Sequence, residues 1–174
     1  MNEDYIHPQR KTKVVFVQLG SPSEPTTKAL RKYLRKFLGD PRVVDINPWL
    51  WKFILNFFVL PFRPKKSAKL YARIWDGKSF PLITNTRDFT NNVSEELKKI
   101  DPNGFVEVNH AFLLSPPYVN EVYDSWEEDL KKGIGATKLL VIPMFPQYSE
   151  STIASGIDAL AKELSKRVKI PTFE

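Results

Sequence analysis

Three groups of side chains in this 174-residue chain are suited to chemistry. The two histidines, His7 and His110, can exchange a proton near neutral pH. Arg63, Lys65, Lys66 and Lys69 follow one another closely enough to hold carboxylates together. Toward the carboxyl terminus, Tyr148, Ser149, Ser151, Thr152 and Ser155 form a run of hydroxyls that can cap a helix or touch a ligand. The absence of cysteine excludes disulfides and thiolate metal sites.

The four cations end an aromatic slab, Pro48 to Trp75, PWLWKFILNFFVLPFRPKKSAKLYARIW. Between Trp49 and Phe62 only Lys52 and Asn56 are polar, too little polar surface for an ordinary exposed helix. The run is also too short to span a bilayer, which takes roughly 20 mostly apolar residues. It reads either as a buried helix and turn or as the wall of a pocket for a flat apolar ligand. In the second reading Arg63, Lys65, Lys66 and Lys69 hold carboxylates at the ligand's rim.

Length and composition set the frame for these groups. One domain is expected, with residues 1–12 as a loose tail and 13–174 as a single unit. A hydrophobic content of 42% with 26% charge argues against disorder. The net charge of +6 favours acidic partners, whether nucleic acid, anionic lipid or a small polycarboxylate. The start MNEDYIHPQRK lacks a secretory pattern, so a cytoplasmic protein is the default expectation.

The elements that position these residues alternate. Val14 to Leu19 is an apolar, β-branched run ended by Gly20, a strand buried on both faces. A single glycine there is no dinucleotide fingerprint, which excludes nicotinamide and flavin. Thr26 or Thr27 caps a helix with Leu30, Tyr33, Leu34, Phe37 and Leu38 on one face, and Gly39 closes it with a left-handed cap. The basic residues on the other face of that helix read as solvated, and nucleic acid is not an expected partner. A helix capped by Thr86 or Asn85 follows the slab, then a strand from Phe105 to Val108 whose continuation ends at His110. Ser115, Pro116 and Pro117 open the next helix, which buries Val119, Val122, Tyr123, Trp126 and Leu130. Leu139 to Met144 is the third strand, and the helix after it carries Ile153, Ile157, Leu160, Leu164 and Val168. The final KIPTFE opens a fourth strand. This order predicts an α/β domain with a parallel sheet of about four strands covered by helices on both faces. Ligands in such sheets sit beyond the carboxyl ends of the strands, here Leu19 to Ser21, Asn109 to Phe112 and Phe145 to Ser149.

The blocks LGSPSEPT, FLGDPRVVD, LPFRPKKSAKLYARIW, PLITNTRDF and PMFPQYSESTIAS, in that order, resemble the amino-terminal half of the ferrochelatases, class II chelatases that insert ferrous iron into protoporphyrin. The resemblance runs from about Val14 to Ala159, and family enzymes are roughly twice as long, with two Rossmann-like halves around a porphyrin cleft. It implies that Leu19 sits under the macrocycle, that Phe37, Val44 and the slab with Trp49, Trp51 and Phe57 form a porphyrin lip, that Arg63 pairs with a propionate, and that Tyr71 and Tyr148 line the cleft beside Ser149 and Thr152. The implied ligands are protoporphyrin IX or haem, with Fe2+ as substrate and no required cofactor. The chain departs from the family pattern in places. Ala111 and Phe112 stand where the family has Arg and Tyr, Gln18 where Asn is common, and Phe80 where the family has Ser. The family's base lies in a Ser-x-His-x-Leu-Pro segment with a Glu-rich helix nearby, and neither is in this sequence.

Two functions follow. In one, the chain is the porphyrin-binding half of a ferrochelatase, and a second half, a separate chain or a second copy, supplies the catalytic histidine. In the other it binds porphyrin or haem without turnover, for sensing, storage or regulation. His110 is a structural histidine, an axial ligand to haem iron or a substitute base. The slab and its cations also permit peripheral contact with an anionic membrane surface.

Overall fold

The computed structural model describes residues 11–170 and 172–173. Most of the expected tail, residues 1–10 with His7, lies outside that range. The first strand, β1 (Thr12–Gln18), forms where the apolar run demands it, and Val14 to Val17 are buried. It lies inside a parallel sheet of four strands in the order β2-β1-β3-β4, between β2 (Val106–Phe112) and β3 (Lys138–Pro143). The expected fourth strand is the short β4 (Thr172–Phe173), paired with Lys138 and Leu139.

Alternation along β1 sends its side chains to two helical layers. Val15 and Val17 join Ala111 in a core with Val119, Tyr123 and Trp126 of helix α5 (Val119–Lys131) and Leu160 of helix α6 (Ser155–Leu164). Trp126 is buried there with its indole N–H donating to the Ala136 carbonyl at 2.7 Å. Phe16 points the other way, onto Phe89 of helix α4 (Pro81–Ile100), with ring centroids 5.1 Å apart. These two layers around the sheet form the expected three-layer Rossmann-like domain.

A second core sits beyond the carboxyl edge of the sheet. Helix α1 (Thr27–Leu38) buries Tyr33, Leu34 and Leu38 against Leu55 and Leu60 of the slab. Thr26 caps α1 as expected, accepting the Ala29 N–H at 3.2 Å. The slab is one continuous helical stretch: α2 (Pro48–Ile54), a π-helical turn (Leu55–Val59) and α3 (Leu60–Tyr71). Pro64 lies inside α3 and cannot donate to the Leu60 carbonyl one turn back. Arg31 of α1 replaces the missing donor, its Nε reaching that carbonyl at 3.2 Å.

Several boundaries differ from expectation. Gly39 is right-handed, with φ −83°; its lack of a side chain serves packing, since a Cβ would stand 2.6 Å from the Arg35 carbonyl oxygen. α4 begins at Pro81, where proline's missing N–H costs nothing, so Asn85 and Thr86 lie inside the helix and Thr86 Oγ1 bonds the Leu82 carbonyl. α5 begins at Val119, beyond Pro116 and Pro117, with the Glu121 carboxylate accepting the Tyr118 N–H at 2.7 Å. β2 runs on past His110 to Phe112. α6 ends at Leu164 and leaves Val168 exposed, because Arg167 turns back to the Asp124 and Glu127 carboxylates.

Gly20 turns the chain sharply at the end of β1, with φ +91°. A Cβ there would collide with Ser115 Oγ and stand 3.0 Å from Phe112 Cβ. Gly20→Ala is therefore expected to cost at least about 1–2 kcal/mol from backbone strain alone, read as a lower midpoint in chemical denaturation. A midpoint equal to that of the parent chain would refute this account of the turn.

Candidate functional site

The three strand exits come together as the parallel sheet requires. Leu19 follows β1 half-buried, its N–H donating to the Gln18 side-chain oxygen at 2.9 Å and its carbonyl accepting the Leu114 N–H at 3.0 Å. The Gln18 amide nitrogen reaches the Met144 carbonyl, also at 2.9 Å. One side chain thus ties the exit of β1 to that of β3, and Leu19 ties it to that of β2. Gln18 drew notice in the sequence only as a departure from the family's Asn; its role as a clamp depends on strands distant in the chain. Tyr33 is buried near the same point, its hydroxyl donating to the Gly20 carbonyl at 3.4 Å. Burial, reinforced by Tyr71, pushes the Tyr33 phenol far above its ordinary range and keeps it neutral.

The slab is neither a closed core helix nor a closed slot. Leu55 and Leu60 are buried, and Trp51 packs against them with its indole N–H on the Leu38 carbonyl at 2.6 Å. The other large side chains face outward: Trp49 is 82% exposed, Phe57 64% and Phe62 72%, with Leu50, Phe53 and Phe58 also exposed. Such a contiguous apolar surface marks a site of interaction. Its inner side encloses a cavity of about 460 Å³ lined by Val44, Trp51, Leu55, Pro41, Ile46 and the stem of Arg35. That volume lies within the range of about 300–1,000 Å³ usual for small-molecule sites. Phe37 stacks on Tyr33 at 6.2 Å between centroids, and Tyr71 meets Tyr33 and Phe80 at 6.3 and 5.4 Å. Arg63, Lys65, Lys66 and Lys69 are exposed along α3.

Tyr148 is 68% exposed at the exit of β3. Ser149 and Thr152 bond one another, Oγ to Oγ1, at 2.6 Å, and Ser149 opens a π-helical turn (Glu150–Ala154) that feeds α6. Ser149 thus makes no side-chain bond to a helix N–H, so the expected cap is not formed here; the hydroxyls bond one another, and Tyr148 stands exposed beside them. A further groove of about 360 Å³ opens beside the β1 exit between Tyr33, Trp75, Phe80 and Leu114, with Lys32 and Lys78 at its margin. His110 lies elsewhere. It is half-buried on β2, beside Phe112, and lines a different cavity with Lys13, Thr90, Asn91 and Glu121. Among the described residues no group of three or more His, Cys, Asp or Glu is placed to hold a metal ion. No helix of the described residues is long and apolar enough to cross a membrane.

A family model described as Ferrochelatase matches residues 11–174. The chain is 43% identical over 161 residues to the ferrochelatase of Idiomarina loihiensis, covering 92% of this chain and 43% of that protein. It is 39% identical over 164 residues to the ferrochelatase of Actinobacillus pleuropneumoniae serotype 5b, covering 94% and 49%. The coproporphyrin III ferrochelatase of Streptococcus mutans is 39% identical over 166 residues, covering 95% and 50%. The chain spans about half the length of the curated relatives it matches.

Burial, with a smaller effect from the Arg87 guanidinium, holds the His110 imidazole below its ordinary pKa. As pH falls, the unfolded chain therefore binds this proton first. Stability is full above about 6.5, the ordinary histidine value, and declines as pH drops through that value toward the folded one. His110→Gln is expected to remove this part of the decline, so that Tm differs less between about pH 8 and pH 5.5 than in the parent chain. Equal acid losses in the two proteins would contradict the placement of His110.

Proposed function

The chain belongs to the ferrochelatase family, and on that premise we propose that its aromatic face is the porphyrin-gripping half of a chelatase that inserts ferrous iron into protoporphyrin IX to form protohaem. The observation that carries the reading is the uncovered apolar surface from Trp49 to Phe62, continuous with Arg63 and beside the strand exits. A tetrapyrrole is a flat apolar ring with carboxylates at one edge. Its ring suits Trp51, Val44 and Phe57, its propionates suit Arg63, and on this reading Leu19, Tyr71 and Tyr148 complete the contact.

Insertion replaces two pyrrole N–H protons with Fe2+, so two protons must leave as the metal enters. A planar ring shields its nitrogens, and bending it in a tight site is worth about 1–5 kcal/mol. A slab anchored by Leu55 and Leu60 and capped by Asn47 is a rigid surface against which to bend it. The protons need an acceptor active near neutral pH. Among the described residues the one histidine, His110, lines a different cavity, and the Tyr33 phenol is held neutral. We assign the base to a second chelatase half that covers the face, from a separate chain or a second copy. The same exposed surface, with Lys52, Lys65 and Lys66, suits contact with an anionic membrane when that face is turned to it.

The remoteness of His110 also favours a second reading, binding of porphyrin or haem without turnover. Iron insertion assayed on the chain alone, and on the chain mixed with a carboxyl-terminal chelatase half, separates the two. Turnover only in the mixture supports the catalytic reading, whereas tight binding with no turnover in either sample supports the second. Parallel titrations with protoporphyrin IX and coproporphyrin III ask which carboxylate pattern the cations prefer.

Arg63→Ala is expected to weaken protoporphyrin binding by about 1.5 kcal/mol, roughly tenfold, through loss of a charge-assisted contact. Unchanged affinity in a spectroscopic titration would remove Arg63 from the site.

A further inference from the structure

The lip and the Tyr148 turn come from distant parts of the chain, and a small set of polar contacts joins them. Arg42, in the loop between α1 and the slab, donates from Nε and Nη2 to the two carboxylate oxygens of Asp158 at 2.7 and 3.1 Å. Two residues earlier, Asp40 Oδ2 accepts from Ser155 Oγ at 2.7 Å while its Oδ1 accepts the Arg42 N–H at 2.8 Å. Ser155 is buried and directly follows the π-helical turn that carries Thr152. On the lip side, Val43 and Val44 pack with Trp51, Leu55 and Leu38. A shift of this loop therefore carries the slab with it.

This contact lies beside the Tyr148 turn. The Asp158 carboxylate raises the Arg42 guanidinium above its already high range, with smaller contributions from Tyr148 and Glu150, which places those two side chains within its field. In return the guanidinium holds the Asp158 carboxyl below its ordinary range. The fork geometry matters more than the charge here. An exposed ion pair adds little by attraction alone, but a two-pronged guanidinium–carboxylate contact fixes direction as well as distance.

Resting on the porphyrin-binding reading above, we infer that Asp40–Ser155 and Arg42–Asp158 form a two-point latch that sets the lip, from Val44 to Trp51, at a fixed spacing from Tyr148 and Thr152. The Asp40–Ser155 bond, part-buried, is the pivot. The Arg42–Asp158 fork, open to solvent, sets the angle. Arg42 and Asp158 are positioning residues: they act through the lip and need not touch the ring.

The test uses the parent chain, Arg42→Glu, Asp158→Arg and the double exchange R42E/D158R. Two measurements are made on each, a protoporphyrin IX titration and backbone hydrogen exchange of residues 40–55 with β1 as the internal reference. Each single reversal sets like charges face to face, and is expected to weaken protoporphyrin binding about fivefold and speed exchange at 40–55 while β1 stays protected. The double exchange restores an opposite pair and returns both readouts to within about twofold of the parent. Single variants that exchange like the parent at 40–55, or a double variant that recovers neither readout, overturn the latch. Loss of β1 protection in a single variant that the double variant does not reverse also counts against it. If the parent chain binds no protoporphyrin, the porphyrin-binding reading falls, and the exchange measurement alone still decides whether the latch holds the lip.

Discussion

The structure depends on β1 being an interior strand. A strand paired on both sides has no free backbone edge, and its side chains must be apolar on both faces, which Val14 to Val17 satisfy. Its neighbours run parallel to it, so all three strands deliver their carboxyl ends to the same side of the molecule. Everything proposed as functional is gathered there. Gln18 and Leu19 then convert a coarse convergence into a fixed one, since their hydrogen bonds reach the exits of both neighbouring strands.

The slab follows a different logic, because a helix this apolar normally closes a core. Here a few residues anchor it and the rest remain uncovered. Leu55, Leu60 and Trp51 hold one side against α1, Asn47 caps its start, and Arg31 satisfies the carbonyl that Pro64 leaves without a donor. The π-helical turn across Leu55–Val59 adds a residue to the helical repeat, as such turns do at functional sites. Phe57 and Phe58 lie in that turn and point to solvent. In the proposed reading this anchored aromatic surface is one preformed half of a clamp. Its cost is exposure to water, a cost that a ligand, a second half or a membrane can relieve.

Polar groups are divided between the two sides of the sheet edge. Cations are exposed along α3, where they can meet carboxylates, while burial keeps the Tyr33 phenol neutral and Arg42 and Asp158 favour each other's charged forms. His110, held below its ordinary pKa by burial, is on the edge strand facing α4. In the proposed reading this face orients and grips the ring, and the proton acceptor comes from a second half.

Much was legible in the amino acids alone. The 3.6-residue period of apolar side chains marked α1 and α5, and unbroken apolar runs marked β1 and β3, because a helix buries one face and an interior strand buries both. Thr26 as a cap was also readable, since a cap is satisfied within its own turn. The family blocks pointed to the ferrochelatases, the family that the chain's relatives share. Where an element could start at either of two capping groups, the sequence was ambiguous: Thr86 looked like a cap, but Pro81 began the helix five residues earlier. What only the tertiary structure decided were matters of distance between residues far apart in the chain. These include the Gln18 clamp, the Arg42–Asp158 fork, the removal of His110 to a separate cavity, and the side of the slab that is buried. Local periodicity reports that a residue must be covered; which distant surface covers it, or leaves it open, is fixed only when strands and helices pack.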